Sequence, residues 1–271
     1  MPEAPAQQPI KEIQLQYWNA EGTVSHYSYD IRPAFLYPPE LHLLELFRDC
    51  WPRVRMLDIG VGGGRTTQYF AALAEVYVGL DFSPRMVERC LQKFASRWPH
   101  ASVSFQHGDA TDLREHEDGS YDLVLFSFNG VDNLPLEERQ KALQEMKRVC
   151  KPGGWVVFSS HNAYNIPLMP RFRFQRHPMR LIEEMTRWRQ VRQKNPPMAQ
   201  VMSTPYVCYF DATVGDNLHL FARAEVQTQD LLAMGFSEVR RYASTDGRAL
   251  LTEQDGRQAD ISWVYYYCRK P

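Results

Sequence analysis

One short stretch, LDIGVGGGRTT at residues 57–67, limits what this chain can fold into more than any other. It combines an apolar strand, a glycine-rich turn and the start of a helix. Glycine tolerates the left-handed backbone of a tight turn and lets a ligand approach the main chain closely. Turns of this kind, between a buried strand and a helix, hold the charged or polar end of a nucleotide-like ligand. The question for function is which ligand this turn holds.

The rest of the chain alternates short apolar runs with helical stretches. The apolar runs are VRMLDI, VYVGL, VSFQH, LVLFSF and WVVFSS, and the helical stretches include SPRMVERCLQKFASRW and LEERQKALQEMKRVC. Such alternation predicts βαβ units and a parallel sheet that is buried on both faces. We therefore expect an α/β, doubly wound, Rossmann-like core over residues 53–162 and 226–271. Residues 1–52 are predicted to form N-terminal helices that cap the ligand site.

The alternation stops after residue 162, and residues 163–225 are predicted to be an insertion. Its second half, TPYVCYFDATVGDNLHLFARA, has the pattern of a two-stranded β-ribbon. We interpret the insertion as a helix plus β-ribbon lid, or substrate-recognition subdomain, with a dimer surface as the alternative. Tyr209, Asp211 and His219 of the ribbon are candidate contacts to a substrate.

The first half of the insertion is basic. Residues 171–194 contain seven Arg and one Lys against two Glu, a local net charge of +6. A solvated helix face would explain this charge. Arg171 and Arg173 are also candidate clamps for an anionic group on a substrate, because the guanidinium fork matches carboxylate and phosphate.

Composition disfavours several other classes. The net charge is −1, and no apolar run approaches the roughly 18 residues needed to cross a bilayer. Five cysteines without a CxxC pair indicate neither a disulfide framework nor a zinc ribbon, and no histidine pair has metal-ligand spacing. We expect a cytoplasmic monomer or homodimer with no metal and no membrane partner, and nucleic acid is a disfavoured partner.

The spacing within the turn separates the candidate ligands. A dinucleotide-binding turn requires a glycine where this chain has Arg65, and a P-loop requires a Lys-Ser/Thr pair that is absent. The pattern present is acid-x-Gly-x-Gly-x-Gly, formed by Asp58, Gly60, Gly62 and Gly64. A simple tight turn without a ligand is the alternative at this point.

Two acids further along the chain support a nucleoside ligand. Asp81 ends the second strand, where a carboxylate can accept hydrogen bonds from both ribose hydroxyls. Asp109 follows the third strand. A dinucleotide-binding fold does not require an acid at this position, whereas the amino group of a bound adenine requires a hydrogen-bond acceptor there. Together these acids favour an adenosine-containing ligand.

The segments LDIGVGGG, VGLDFSP, GDA, YDLVLFSFN and CKPGG, in this order, resemble class I S-adenosylmethionine-dependent methyltransferases. The resemblance covers roughly residues 54–162 and the last two strands. It implies a seven-stranded sheet, parallel except for one antiparallel strand, and S-adenosyl-L-methionine as cofactor. It further implies the following contacts: Gly60, Gly62 and Gly64 line the methionine moiety, Asp81 binds the ribose, Phe82 and Met86 flank the adenine, and Asp109 with Ala110 meets its amino edge.

Two features near the turn lie outside that pattern. Arg65 either contacts the cofactor carboxylate or begins the helix and points to water, and the second alternative is our expectation. Four aromatic residues of the N-terminal segment are predicted to close over the cofactor, with a purely structural role as the alternative: Tyr17, Trp18, Tyr27 and Tyr29.

Polar residues after the fourth and fifth strands are the candidates for chemistry, since ligands of open α/β sheets bind beyond the carboxyl ends of the strands. Ser127 is expected at the cofactor and Asp132 at the substrate. Asn129 could orient an acceptor amine, and His161 could serve as a base because its ordinary pKa is near 6.5. A capped turn with His161 bonded to backbone is the alternative.

The sequence thus predicts transfer of a methyl group to a nitrogen or oxygen of a small-molecule acceptor, anionic ones included. Three alternatives remain: an RNA methyltransferase that uses the basic insertion, a non-catalytic cofactor-binding partner protein, and, with least support, a dinucleotide reductase.

Overall fold

A computed structural model of the protein describes residues 10–28, 35–94, 97–98, 102–210 and 218–271. The described strands are β1 (Arg55–Ile59), β2 (Val76–Asp81), β3 (Ser102–His107), β4 (Tyr121–Phe126), β5 (Cys150–Asn162), β6 (Tyr206–Phe210), β7 (Leu218–Ala222), β8 (Glu238–Ala243) and β9 (Trp263–Arg269). The described α-helices are α1 (Ile10–Asn19), α2 (Glu21–Tyr27), α3 (Pro38–Leu46), α4 (Thr67–Phe70), α5 (Pro84–Phe94), α6 (Leu136–Val149), α7 (Pro178–Lys194), α8 (Met198–Ser203), α9 (Ala224–Ala233) and α10 (Glu253–Gly256). Short 3₁₀ helices cover Trp51–Arg53, Gly130–Asn133 and Ala163–Leu168.

Seven strands form the core of the sheet, in the order β3-β2-β1-β4-β5-β9-β8. Strands β1 to β5 pair in parallel, and β9 runs antiparallel to both β5 and β8. This is the predicted doubly wound sheet with one antiparallel strand, and the prediction of fold class is confirmed. The sequences of its central strands are nearly continuous apolar runs, because helices cover both faces of the sheet.

Alternate residues of the central strands enter two separate cores. Leu57 and Ile59 of β1 pack on the face covered by α6 and α9, whereas Met56 packs on the face covered by α3 and α5. The period of two along a strand explains this division, since successive side chains point to opposite faces.

The long strand β5 has three partners. β4 pairs in parallel with its middle residues, and β9 runs antiparallel along residues 155–161. The last two residues, His161 and Asn162, also pair in parallel with Phe221 and Ala222 of β7. The predicted ribbon, β6 with β7, is therefore present and extends the central sheet, while its connection at residues 211–217 lies outside the described residues.

Candidate functional site

The glycine turn after β1 forms the floor of the site. Gly60, Gly62 and Gly64 have φ angles of +63°, +54° and +85°, a region that residues with a side chain rarely adopt. A Cβ on Gly60 would collide with the ring of Phe126, and one on Gly64 with the ring of Phe94. Gly62 has open space where its Cβ would lie. The turn thus packs on two aromatic rings and leaves one face open at Gly62.

Gly63 has a separate role that its sequence position did not reveal. Its N–H donates to the carbonyl of Tyr27 at 3.3 Å, and a Cβ there would collide with the backbone of Ser28. The absence of a side chain therefore lets the end of α2 rest directly on the turn. Lys93 fixes the same place, because its Nζ donates to the carbonyl of Ser28 at 2.8 Å.

Asp81 links the turn to the second strand. Its carboxylate accepts hydrogen bonds from the backbone N–H groups of Gly62 and Ser83, both at 2.8 Å. Burial raises the pKa of this carboxyl to about 6, although the two N–H groups oppose the shift. An acid held in this way presents fixed acceptor oxygens at the carboxyl end of β2.

Asp109 presents a second acid at the end of β3. Its Oδ1 accepts from the backbone N–H and the hydroxyl of Thr111, both at 2.8 Å. These bonds fix the orientation of the carboxylate beside Ala110. The two acids, Asp81 and Asp109, therefore stand at neighbouring strand ends, as a bound nucleoside would require.

A cleft of about 880 Å³, its mouth included, lies at this edge of the sheet. Eight of the eleven predicted cofactor residues line it: Gly60, Gly62, Asp81, Phe82, Met86, Asp109, Ala110 and Ser127. The remaining lining residues are Gln14, Trp18, Tyr27, Ile59, Leu80, Gly108, Phe126, Phe128, Gly130, Asn133 and Leu134. Mostly apolar walls with a few convergent polar groups are typical of a small-molecule site.

Three predicted cofactor residues do not line the cleft. Asp58 is buried and accepts hydrogen bonds from Thr66 Oγ1 at 2.5 Å and Tyr77 Oη at 2.6 Å, and burial raises its pKa to about 6. Gly64 packs against α5, as described above. Tyr17 is half-buried beside Trp18, and Trp18 is the residue of this pair that reaches the cleft.

The expectation that Arg65 points to water is wrong. Its side chain is 6% exposed and pairs with Glu40 of α3 through two hydrogen bonds of 2.6 Å. The guanidinium also lies over the rings of Tyr37 and Phe128. The arginine points under the N-terminal helices because Glu40, 25 residues earlier in the chain, supplies a buried counter-charge.

Ser127 is part of the same network. Its hydroxyl contacts Glu40, accepts from Arg65 Nη2 at 2.9 Å, and lies 3.2 Å from Tyr265 Oη. Tyr265 Oη in turn donates to Glu40 Oε1 at 3.0 Å. The serine thus lines the cleft while its hydroxyl is held by the N-terminal helices.

The turn after β4 has an unusual backbone. Phe128 and Asn129 are consecutive non-glycine residues with φ angles of +56° and +57°, a conformation that costs energy for residues with a side chain. The turn directs Phe128 into the cleft and buries Asn129, whose N–H donates to Ser159 Oγ at 2.8 Å. Within the described residues, Asn129 Oδ1 has no hydrogen-bond partner.

Asp132, at the end of that turn, orients His161. Its Oδ2 accepts from His161 Nδ1 at 2.7 Å and from the His161 backbone N–H at 2.6 Å. Its Oδ1 accepts from Ser160 Oγ at 2.9 Å and is paired with buried Arg139. Burial opposes the charge, but Arg139 and the bonds from His161 outweigh it, and the pKa of Asp132 lies below its usual value.

An ionised carboxylate can only accept hydrogen bonds, so Nδ1 of His161 must carry the proton. In the neutral ring, Nε2 is then an acceptor, and it lies 3.4 Å from Asn129 Nδ2. Neither His161 nor Asn129 lines the cleft in this conformation. Two aromatic rings lie between these residues and the cleft. The ring of Phe128 is 5.1 Å from that of Trp263, and the ring of Trp263 is 6.0 Å from that of His161.

The predicted substrate residues lie in several places. His219 is buried with its ring 5.4 Å from that of His161. Tyr209 is buried in the core of the insertion, 5.9 Å from the ring of Phe221. Arg171 and Arg173 are exposed and do not line the cleft, and Asp211 lies outside the described residues.

Sequence reasoning missed several residues of the site. Glu40 is a buried charge whose partner Arg65 lies 25 residues further along the chain, so no local pattern indicates it. Arg139 is a buried charge that pairs with Asp132 from the other end of the turn that precedes α6. Gln14 was detectable in part, because it lies one helical turn before Trp18 on α1 and therefore shares its face.

The fold and the cleft define a doubly wound α/β protein whose cleft, at the carboxyl ends of the strands, has the lining that a nucleoside-like ligand requires. Residues 56–154 match the family described as "Methyltransferase domain". Over these residues the chain is therefore similar to a methyltransferase domain, and its sheet has the doubly wound, Rossmann-like order with one antiparallel strand.

Curated relatives match less than half of the chain. Demethylmenaquinone methyltransferase of Clavibacter sepedonicus is 38% identical over 117 residues, which cover 43% of this chain and 45% of that protein. Ajmaline N-methyltransferase of Rauvolfia serpentina is 34% identical over 107 residues, 39% of this chain and 35% of that protein. The chain thus matches less than half the length of these relatives.

A solved structure resembles nearly the whole chain. Magnesium protoporphyrin IX methyltransferase from Synechocystis PCC 6803, with bound SAM, superposes with a TM-score of 0.59 at 14% identity. The superposition covers 98% of this chain and 100% of that one. At this identity the likeness shows the fold, and function has to be argued from the site.

Proposed function

We propose that this protein transfers a methyl group from S-adenosyl-L-methionine to a nitrogen or oxygen of a small-molecule acceptor. The observation that carries the proposal is the cleft itself. It brings Gly62, Asp81 and Asp109 together at adjoining strand ends, next to a turn whose open face is Gly62. The methyltransferase domain match over residues 56–154 supports the same conclusion.

The cleft fits an adenosyl group and an amino-acid tail. Gly60 and Gly62 would hold the methionine moiety, Asp81 the ribose hydroxyls, and Asp109 with Ala110 the adenine amino edge. Phe82 and Met86 supply apolar walls for the base. When bound, the cofactor supplies a methyl group on a positively charged sulfur, which any sufficiently aligned nucleophile can accept in an in-line displacement.

The rest of the cleft is proposed to hold the acceptor. Gln14 Nε2 donates to the carbonyl of Asn133, so α1 and the turn after β4 meet across this end. Leu134 and the Phe128 ring are the apolar residues beside them. The names of the two curated relatives, one acting on demethylmenaquinone and one an N-methyltransferase of ajmaline, support a small organic acceptor.

His161 is proposed to accept a proton from the acceptor. Asp132 fixes its tautomer so that Nε2 is the available base, and Asn129 lies beside that nitrogen. Because neither residue lines the cleft here, the proposal requires the Phe128 side chain to move aside when the acceptor binds. A hydroxyl acceptor needs such a base, whereas an amine has only to lose its proton before or during attack.

Calorimetric titration with S-adenosylmethionine, S-adenosylhomocysteine and NADH tests the cofactor. We expect micromolar binding of the first two, no binding of NADH, and loss of binding in Asp81→Ala. Asp118→Ala is the matched control, since Asp118 is exposed and pairs with Arg148 away from the cleft. Binding of NADH alone would overturn the proposal, and binding of both sulfur ligands without transfer to any acceptor would identify a non-catalytic partner protein.

His161→Gln tests the base once an acceptor is found. We expect unchanged affinity for S-adenosylhomocysteine and a roughly 10²-fold or larger loss of kcat for a hydroxyl acceptor. His177→Gln, at the exposed start of α7, is the control. Equal activity of wild type and His161→Gln at every pH would exclude His161 as the base.

A further inference from the structure

The outward face of the insertion exposes an unusual number of large apolar side chains. Five of the thirteen exposed large hydrophobic residues in the described part of the chain lie between residues 172 and 185. Phe174, Met179 and Ile182 are 75%, 61% and 59% exposed. Single exposed hydrophobic residues are ordinary, but a contiguous group marks an interaction surface.

The geometry of α7 places three members of this group on one face of the helix. Met179, Ile182 and Met185 recur at every third residue, which keeps them on one side of the helix. Glu184 and Val191, on the opposite side, are buried against the body of the insertion. The apolar stripe therefore faces away from the protein, and Phe172 and Phe174 of the preceding segment are exposed beside it in sequence. We call these five residues, Phe172, Phe174, Met179, Ile182 and Met185, the insertion face.

Arginines interleave with the insertion face. Arg171, Arg173 and Arg176 are all exposed and alternate in sequence with its apolar residues, and exposed Arg189 lies two helical turns after Ile182 on the same side of α7. Of the two glutamates in this segment, Glu184 is already paired with Arg187 at 2.6 Å. The segment carries a local charge of +6 within a chain whose net charge is −1. The expectation of no membrane partner rested on that net charge and on the lack of an apolar run long enough to cross a bilayer, and neither concerns a local basic surface.

We propose that the insertion face docks on an anionic lipid surface. Apolar side chains enter the boundary between headgroups and acyl chains, and arginines bind the lipid phosphates while their stems cover apolar surface. Nucleic acid would explain the arginines, and bases could stack on the Phe rings, but it would not explain the exposed Met and Ile side chains. In the part of the chain that the structure describes, no helix is long and apolar enough to cross a membrane. The proposed contact therefore lies on the bilayer surface.

Vesicle sedimentation of the full chain tests this proposal. We expect binding to phosphatidylcholine vesicles that contain phosphatidylglycerol, weak binding to phosphatidylcholine alone, and release at high salt. Arg176→Gln and Arg189→Gln should each lower partitioning about fivefold, and the double variant about 25-fold. Met179→Ser with Ile182→Ser should abolish binding, whereas Leu251→Ser, at a residue 85% exposed elsewhere, should not change it.

Two other outcomes would overturn the proposal. If wild type does not bind anionic vesicles and the serine variant converts a dimer to a monomer, the insertion face joins two copies of this chain. If the arginine variants lose binding to a single-stranded RNA instead, the partner is nucleic acid. Titration of every variant with S-adenosylhomocysteine checks folding. Because that ligand binds elsewhere, failure of lipid binding leaves the proposed methyl transfer untouched.

Discussion

Glu40→Gln should destabilise the protein strongly, because it leaves a buried arginine without its counter-charge. Glu40 is fully buried and accepts five hydrogen bonds: two from Arg65, and one each from Ser127, Tyr265 and the Tyr37 backbone. A glutamine side chain keeps one acceptor oxygen, but its NH₂ group is itself a donor and would face the donor groups that now bind the carboxylate. Removing one partner of a buried ion pair costs about 3–5 kcal/mol.

The measurement is urea and thermal unfolding followed by tryptophan fluorescence, with Arg65→Met as the reciprocal variant. For a chain of this size each 1 kcal/mol corresponds to roughly 2–4 °C in Tm, so a loss of roughly 6–20 °C is expected. The double variant Glu40→Met/Arg65→Met removes both charges together. Its loss should be far smaller than the sum of the two single losses, since apolar side chains often replace a buried pair at little cost.

Arg48→Met is the control for this cycle. Arg48 is exposed and forms a surface ion pair with Glu45, and such pairs contribute about 0–1 kcal/mol. Single losses below about 1 kcal/mol, the upper value for a surface pair, would refute the reasoning. Additive losses in the double variant would refute it as well, because they would mean that Glu40 and Arg65 do not interact.

The remaining predictions concern the cleft. Gly62→Ala and Gly153→Ala both place a side chain at positive φ with no neighbour in the way, and each should cost about 1–2 kcal/mol of stability. Only Gly62→Ala should also lower affinity for S-adenosylhomocysteine, by tenfold or more, because only its methyl group enters the cleft. Equal affinities of the two variants in calorimetry would contradict this. The affinity of wild type should fall as the pH drops below about 6, where Asp81 takes up a proton, and Asp81→Asn should show a flatter profile. Since the folded-state pKa of Asp81 lies above the unfolded value, its contribution to the free energy of unfolding should decrease as the pH rises from about 4 to about 6.

The parts of the site that were predictable are those encoded locally. Strand ends and a glycine turn can be predicted from short sequence patterns. Because parallel strands bring their carboxyl ends to one edge of the sheet, Asp81 and Asp109 could be placed together from the sequence. Of the aromatic residues predicted to close over the cofactor, Trp18 and Tyr27 line the cleft and Tyr17 does not, because one residue changes the direction of a helical side chain by about 100°. Tyr29 lies outside the described residues. The partners of Arg65 and Asp132 depend on tertiary packing, which no local pattern records.

The fold outside the core shows the same limit. Alternation predicted the ribbon of β6 and β7, but not that β7 would pair with the last two residues of β5. That pairing depends on β4 ending early enough to leave this edge of β5 available. The strained backbone at Phe128 and Asn129 was only partly predictable, because Asn adopts a left-handed conformation more readily than most residues, whereas Phe does not.

The shared strand β5 determines which part of this protein can open. His161 lies between Phe221 of β7 on one side and Trp263 of β9 on the other. A swinging motion of the insertion would have to break the main-chain hydrogen bonds between β5 and β7, next to the proposed base. The geometry of the insertion and that of His161 therefore change together. The N-terminal helices contact the cleft mainly through side chains and single backbone bonds such as that of Gly63. Ligand exchange is therefore expected on the side of α1 and α2. A displacement of the insertion at a surface would act on His161 through the pairing of β5 with β7.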